Sequence, residues 1–526
     1  MSSAAVLDRP IAPARGTNKW FIAAAVSLAA LVEIVDTSIV NVALTEMQAS
    51  LGATLSEIGW VVTSYGIANV IILPLSAWLG MRFGKKRYFL FSLAGFTVAS
   101  MLCGFATSLP LLVLARVLQG LTGGGLLAKA QAILFETFPK EEQALAQGVF
   151  GAIAIAGPAI GPTLGGWIVT NVDWRWIFFI NLPIGITGVL MAMAALPDDD
   201  KAPRKKLPVD WIAIALLAIG IGSFQAFLEE GNSEDWFESS FIIALAIAAA
   251  VGITTFIVRT LRSSAPLVDL RVLRYRSLAA GSALSIVIGI ALYGGIFAIP
   301  IFAQTIMGYT SQQTGMLMLP GALASAVAMV VASRVLSKLD PRIALVLGAL
   351  ILTTAIVMLS HLGPNTGYDD LQPALIVRSF GTVFMFLPLS LAAIGPIPKE
   401  DVAAASGFYN LTRQLGGSIG VALLTTLLDK RGAFHRAVLS EKMGASDPAT
   451  LERVETIARG MMARGSDAIE AHGRALTMLA GSVKKQAAIL AFADTFWATA
   501  ALIVCTLPLV LLLGKPAKGA KPVADH

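Results

Sequence analysis

Fourteen apolar stretches, each about the length needed to cross a bilayer, leave this chain little choice of fold. A hydrocarbon core about 30 Å thick takes about 20 helical residues to span. It offers backbone N–H and C=O groups no partner, so a crossing segment must satisfy its own backbone as a helix. The windows fall at roughly 20–43, 58–80, 88–107, 111–134, 144–169, 177–196, 211–228, 241–259, 278–303, 315–336, 343–361, 373–395, 406–428 and 488–513. The predicted class is therefore an all-α polytopic membrane protein. Its charged fraction of 14% agrees, since a soluble domain carries about 25%. Cys103 and Cys505 both lie in apolar runs, which excludes a disulfide or metal framework. The first run follows Arg9, Arg15 and Lys19 but is too long for a signal peptide and contains acids, so it reads as an uncleaved span.

With both termini cytoplasmic, 24 of the 39 lysines and arginines fall on the inner side and the short outer loops hold only Arg175, as the positive-inside rule requires. The same dispersal into short loops argues against nucleic-acid binding. An internal repeat is visible: PKEEQALAQG at Pro139 returns as PKEDVAAASG at Pro398, 259 residues on, and Gly157 and Gly161 return as Gly416 and Gly420. Arg116 to Gly120 is echoed by Arg378 to Gly381. Spans one to six thus pair with nine to fourteen. The expected organisation is a tail 1–19, a six-helix half 20–196, a linker 197–210, an inserted pair 211–259, a linker 260–277, a second half 278–513 containing the outer loop 429–486, and a tail 514–526. Two related halves around a midplane site is the plan of a secondary transporter.

Glu33 and Asp36 lie inside the first span, where an ionised acid costs about 2.5–3.5 kcal/mol on insertion scales. Their i, i+3 spacing puts them on one helix face, with Asn41 expected further along it. Arg116 in span four cannot shed its proton, so it needs a carboxylate or several carbonyls; the expected link is to the span-one acids, with Gln119 one turn on. Arg378, Asn410 and Arg413 are candidates for a polar substrate path in the second half, and Lys129 is expected to snorkel to the headgroups. Span five carries Gly157, Pro158, Gly161, Pro162, Gly165 and Gly166. Small residues four apart admit a close neighbour and prolines bend a helix, so the stretch reads as a packed, kinked gate. The turn after span two holds Arg82, Gly84, Lys85, Lys86 and Arg87, and Leu451 to Met478 in the outer loop reads as an amphipathic helix. No phosphate-binding G-x-x-x-x-G-K-[ST] loop occurs, so transport would use an ion gradient or run downhill; a proton moving with the potential yields about 2.3 kcal/mol per 100 mV, and Asp36 or Glu33 is the group best placed to carry it, with Arg116 as the coupled cation. No histidine lies in a span core and no nucleophile–base pair is evident, which argues against an enzyme. Import of a metabolite on the same scaffold is the alternative to export.

Together DTSIVNVAL (Asp36–Leu44), ARVLQG (Ala115–Gly120), GPAIGPTLGG (Gly157–Gly166), WRWIFFINLPIG (Trp174–Gly185) and NLTRQLGGSIG (Asn410–Gly420) resemble the signature motifs of the fourteen-span drug:proton antiporters of the major facilitator superfamily. The resemblance implies the major facilitator fold, the proton motive force in place of a cofactor, Asp36 as the proton-linked acid, and amphipathic drugs as substrates. Arg82 and Gly84 match the loop motif, but Met81 stands at its usual acid position. The long outer loop narrows the resemblance to members that imply a periplasmic membrane-fusion adaptor, an outer-membrane channel and a bacterial inner membrane.

Overall fold

The computed structural model describes residues 18–198, 209–263, 266–336, 339–443 and 447–513, and its regular elements are all helical. The expected tails and the linker 197–210 lie largely outside the described residues. In chain order the α-helices are α1 (Lys19–Leu51), α2 (Leu55–Phe83), α3 (Lys85–Gly104), α4 (Leu109–Gly123), α5 (Leu126–Thr137), α6 (Lys140–Asn171), α7 (Trp176–Phe179), α8 (Asn181–Ala195) and α9 (Trp211–Glu230). They continue with α10 (Ser240–Arg262), α11 (Arg276–Thr305), α12 (Ser311–Leu336), α13 (Pro341–Ser360), α14 (Tyr368–Ile394), α15 (Val402–Lys442), α16 (Pro448–Met462) and α17 (Ala468–Thr506). Twelve helical stretches among the described residues are long and apolar enough to cross a membrane, and the expected spans 144–169 and 406–428 fall on α6 and α15. The protein is a multi-pass membrane protein.

Two expectations change. Span four is not one helix: α4 ends at Gly123 and α5 starts at Leu126, with Gly125 at φ +76° between them. Three consecutive glycines allow this, because the left-handed region carries no Cβ penalty for glycine. The loop 429–486 is also far more regular than expected. Helix α15 runs on to Lys442, and the single amphipathic helix read over Leu451 to Met478 is instead two helices, α16 and the start of α17, turning at Gly465 with φ +95°. Their apolar faces close on each other through Val454, Ala458, Ala471, Ala475 and Leu479. His435 Nε2 joins Asp494 Oδ2 at 2.7 Å and ties α15 to α17 below this hairpin.

The repeat reappears as packing. Gly157 and Gly161 of α6 abut Ile34 and Ser38 of α1, while Gly416 and Gly420 of α15 abut Ile286 and Ile290 of α11. Both contact residues shift by 252, so α11 stands to α15 as α1 stands to α6. Gly95 of α3 abuts Thr122 of α4, and Gly348 of α13 abuts Phe384 of α14, which extends the correspondence to α4 and α14. The halves meet mainly along α6 and α12, where Gly315 abuts Thr163 and Gly148 abuts Ser333. The inserted α9 packs against both α2 and α15.

Candidate functional site

Asp36 and Arg116 face each other in the interior of the first half, 0% and 1% exposed as side chains, with Arg116 Nη1 2.6 Å from Asp36 Oδ2. Gln119 Nε2 and Asn181 Nδ2 donate to Asp36 Oδ1 at 2.9 and 2.8 Å, so α1, α4 and α8 converge on one carboxylate. Arg116 is held in turn: Nε donates to the Val61 carbonyl at 3.0 Å, Nη1 also reaches Gln119 Oε1 at 2.7 Å, and the guanidinium lies 4.2 Å from the centre of the Tyr65 ring. Every polar neighbour of Asp36 in this set is a donor. The arrangement satisfies an acceptor-only carboxylate, whereas a proton on either oxygen would be aimed at a donor and break the cluster.

Glu33 does not join Arg116. Its Oε1 accepts from Asn69 Nδ2 at 2.8 Å and its Oε2 from the backbone N–H of Leu127 at 2.8 Å. Leu127 is the second residue of α5, so Glu33 caps the helix start that the glycine break creates. Such orphan N–H groups need a partner when buried, and a carboxylate is favoured at a helix N-terminus. The expected link between Arg116 and both acids is thus corrected to Asp36 alone, because the α5 N-terminus that the break creates, together with Asn69, takes both Glu33 oxygens. Lys129 does not snorkel: its Nζ donates to Ser92 Oγ at 2.7 Å and sits 4.0 Å from the centre of the Tyr88 ring.

Asn41 is not part of this face. It lies five residues, hence about 140° of helix turn, from Asp36, and it is exposed with Nδ2 on the Thr37 carbonyl at 3.1 Å. Asn410 and Arg413 form a buried seam between the halves: Asn410 Nδ2 donates to Gln131 Oε1 at 2.6 Å, Arg413 Nη2 donates to Asn410 Oδ1 at 2.8 Å, and Gln131 Nε2 donates to Ser390 Oγ at 2.8 Å. Arg378 lies apart, lining a cavity with Pro158 and residues of α11, α12 and α14. Helix α6 runs unbroken through Pro158 and Pro162. A Cβ on Gly157 would meet the Ile34 side chain at 2.6 Å and one on Gly165 the Ile39 side chain at 2.6 Å, so the motif seats α6 on the residues flanking Asp36; Gly166 is buried beside it. In the turn after α2, Gly84 at φ +98° is the sole residue between two helices. Lys85 Nζ reaches Glu136 at 2.7 Å, Lys86 reaches Asp198 at 2.8 Å, and the Arg82 guanidinium lies 5.3 Å from the Trp78 ring, while Arg87 also has a partner. With Met81 in place of an acid, Glu136 at the end of α5 supplies the turn's buried carboxylate.

The sequence reading missed Asn69, Asn181 and Gln131. Asn181 stands inside the quoted WRWIFFINLPIG, and an amide within a span was a usable signal for all three. It also missed Glu229 of the inserted α9, whose Oε1 accepts from Gln225 Nε2 at 2.6 Å, while the same amide nitrogen reaches Ser418 of α15 at 2.8 Å.

Comparison with known proteins gives the family. The Major Facilitator Superfamily profile matches residues 26–421. The multidrug export protein EmrB of Escherichia coli K12 is 32% identical over 510 residues, covering 97% of this chain and 98% of its own. The fatty acid resistance protein FarB of Neisseria gonorrhoeae is 32% identical over 516 residues, covering 97% and 98%. Among solved structures, the proton:xylose symporter XylE overlays 94% of this chain and 99% of its own with a TM-score of 0.57 at 11% identity, a likeness of fold. This chain is thus an EmrB-like member of the Major Facilitator Superfamily.

Proposed function

We propose that the protein is a proton-driven antiporter that exports amphipathic, partly hydrophobic compounds across a bacterial inner membrane, with both termini cytoplasmic. The observation that carries this reading is 32% identity over nearly the full length with a multidrug export protein, in a chain whose first span holds a buried acid encircled by donors. FarB's name adds fatty acids, which are amphipathic. Metabolite import has no comparable support among these relatives.

In the mechanism we favour, the described state holds Asp36 as a carboxylate. A proton arriving from the periplasm neutralises it, removes the attraction on Arg116 and turns the Gln119 and Asn181 amides away. Helix α1 is then free to move, and α6, seated on α1 through Gly157, Gly161 and Gly165 and on α12 through Gly148 and Thr163, carries that movement to the second half. Loss of the proton to the cytoplasm restores the cluster. The helical hairpin of α16 and the start of α17, ahead of the last span, is the surface offered to a periplasmic membrane-fusion adaptor and, through it, an outer-membrane channel.

Proteoliposomes test the coupling. An imposed proton gradient should drive a fluorescent amphipathic drug through the wild type, and Asp36→Asn should reduce that flux to under about a tenth. Gradient-driven flux undiminished in Asp36→Asn removes Asp36 from the mechanism.

A further inference from the structure

We propose that Arg378 is the anchor of a substrate subsite for the anionic group of an amphipathic compound. The proposal rests on the export reading for its role in transport, but the binding it asserts stands independently.

The repeat defines what is unusual about Arg378. Arg116 lies six residues before Thr122, and Arg378 lies six residues before Phe384, the two residues that abut Gly95 and Gly348 in the corresponding helix pairs. The arginines therefore occupy equivalent places in α4 and α14. Asp36 lies between Ile34 and Ser38, and its counterpart between Ile286 and Ile290 is Ile288, buried at 3% exposure. The second half has kept the arginine and holds an isoleucine where the acid would be.

Among the described residues Arg378 makes no hydrogen bond or ion pair, and its Nε is buried and unbonded. A guanidinium stays protonated, and a cation unpaired inside a membrane bundle marks a functional position. The side chain is half-buried and borders a cavity that opens between α6, α11, α12 and α14. Ser379 and Thr382 add hydroxyls, Leu292, Met318 and Leu375 an apolar wall, and Pro158 comes from the other half.

This combination selects an amphipathic monoanion. The guanidinium fork matches a carboxylate or sulfonate in bidentate fashion, and the apolar wall takes a hydrophobic body that a bare inorganic anion lacks. An occupant touching Pro158 rests on α6, whose neighbouring Gly157 and Gly161 seat the Asp36-bearing helix, so the subsite and the protonation site share one element.

Calorimetric titration of the purified full-length chain in nanodiscs, with 2-naphthoate, 2-naphthylmethanol and (2-naphthylmethyl)trimethylammonium, tests this directly. The carboxylate should bind at least about tenfold more tightly than the alcohol or the cation, a factor worth about 1.4 kcal/mol. Arg378→Gln should erase that preference and Arg378→Lys should keep part of it. Ile288 is one turn from the cavity-lining Leu292, so Ile288→Asp, which supplies the missing acid, should weaken naphthoate by a similar factor and provides a second route should Arg378→Gln misfold. Equal affinity of the three probes for the wild type, a preference that survives Arg378→Gln, or displacement of naphthoate by acetate at matching concentration would each overturn the proposal. Carboxylate preference without gradient-driven efflux removes the export reading and leaves the subsite; efflux without the preference does the reverse.

Discussion

The contact between Asp36 and Arg116 makes a quantitative prediction that separates structure from transport. Asp36→Asn leaves a guanidinium that is 1% exposed without its counter-ion. Removing one member of a buried pair costs about 3–5 kcal/mol, chiefly because the survivor's charge stays desolvated. Arg116→Gln strands the carboxylate, but Gln119 and Asn181 still donate to it, so its cost should fall near the lower end, about 3 kcal/mol. Each single variant thus suffers from a charge that the other substitution would remove. The double variant Asp36→Asn, Arg116→Gln should be more stable than the sum predicts by about 2–3 kcal/mol, at the upper end of couplings for residues in contact. Equilibrium unfolding titrated with SDS in bicelles supplies the four free energies, and proton-driven drug uptake is measured on the same preparations. All three variants should lack coupled uptake even where the double regains stability. Additivity within about 0.5 kcal/mol would mean that the two charges do not meet as described.

The neighbouring acid should behave differently. Glu33→Gln keeps an oxygen for the Leu127 N–H and should retain gradient-driven uptake, whereas Glu33→Leu strands that N–H and the Asn69 amide and should cost about 1–3 kcal/mol for each group; a Glu33→Gln variant as inactive as Asp36→Asn would assign it a part in coupling beyond capping. The outer hairpin should respond to pH through His472, whose pKa is raised above 6.5 by its hydrogen bonds to the Ala468 carbonyl and then to Glu455. With the folded value above the unfolded one, the imidazolium's contribution is complete below the unfolded pKa and fades as pH rises through the folded pKa. After correction for intrinsic rates, amide exchange over residues 448–485 should therefore be slower at pH 6 than at pH 8.5, and His472→Gln should flatten the difference; an unchanged pH response in that variant would refute the assignment.

What the sequence determined by itself follows from terms that need no partner to be evaluated. Burying an unpaired backbone or a charge in hydrocarbon is costly wherever the rest of the chain lies, so the membrane-crossing helices and the need of Asp36 and Arg116 for buried partners could be read along one dimension. The glycine spacing of α6 and its return in α15 could be read in the same way, because close helix contact demands small residues whichever helix approaches. Tertiary structure alone decided which groups satisfy which. Glu33 and Asp36 share a helix face, yet one caps α5 and the other pairs with Arg116, since the break at Gly125 places an N-terminus only a few ångströms from one of them. Arg116 and Arg378 look alike as isolated arginines in apolar runs; that one is neutralised and the other is not emerged only when α1 and α11 could be compared at Asp36 and Ile288. Partner choice depends on helix rotation and on neighbours dozens to hundreds of residues away, which periodicity along the chain does not encode.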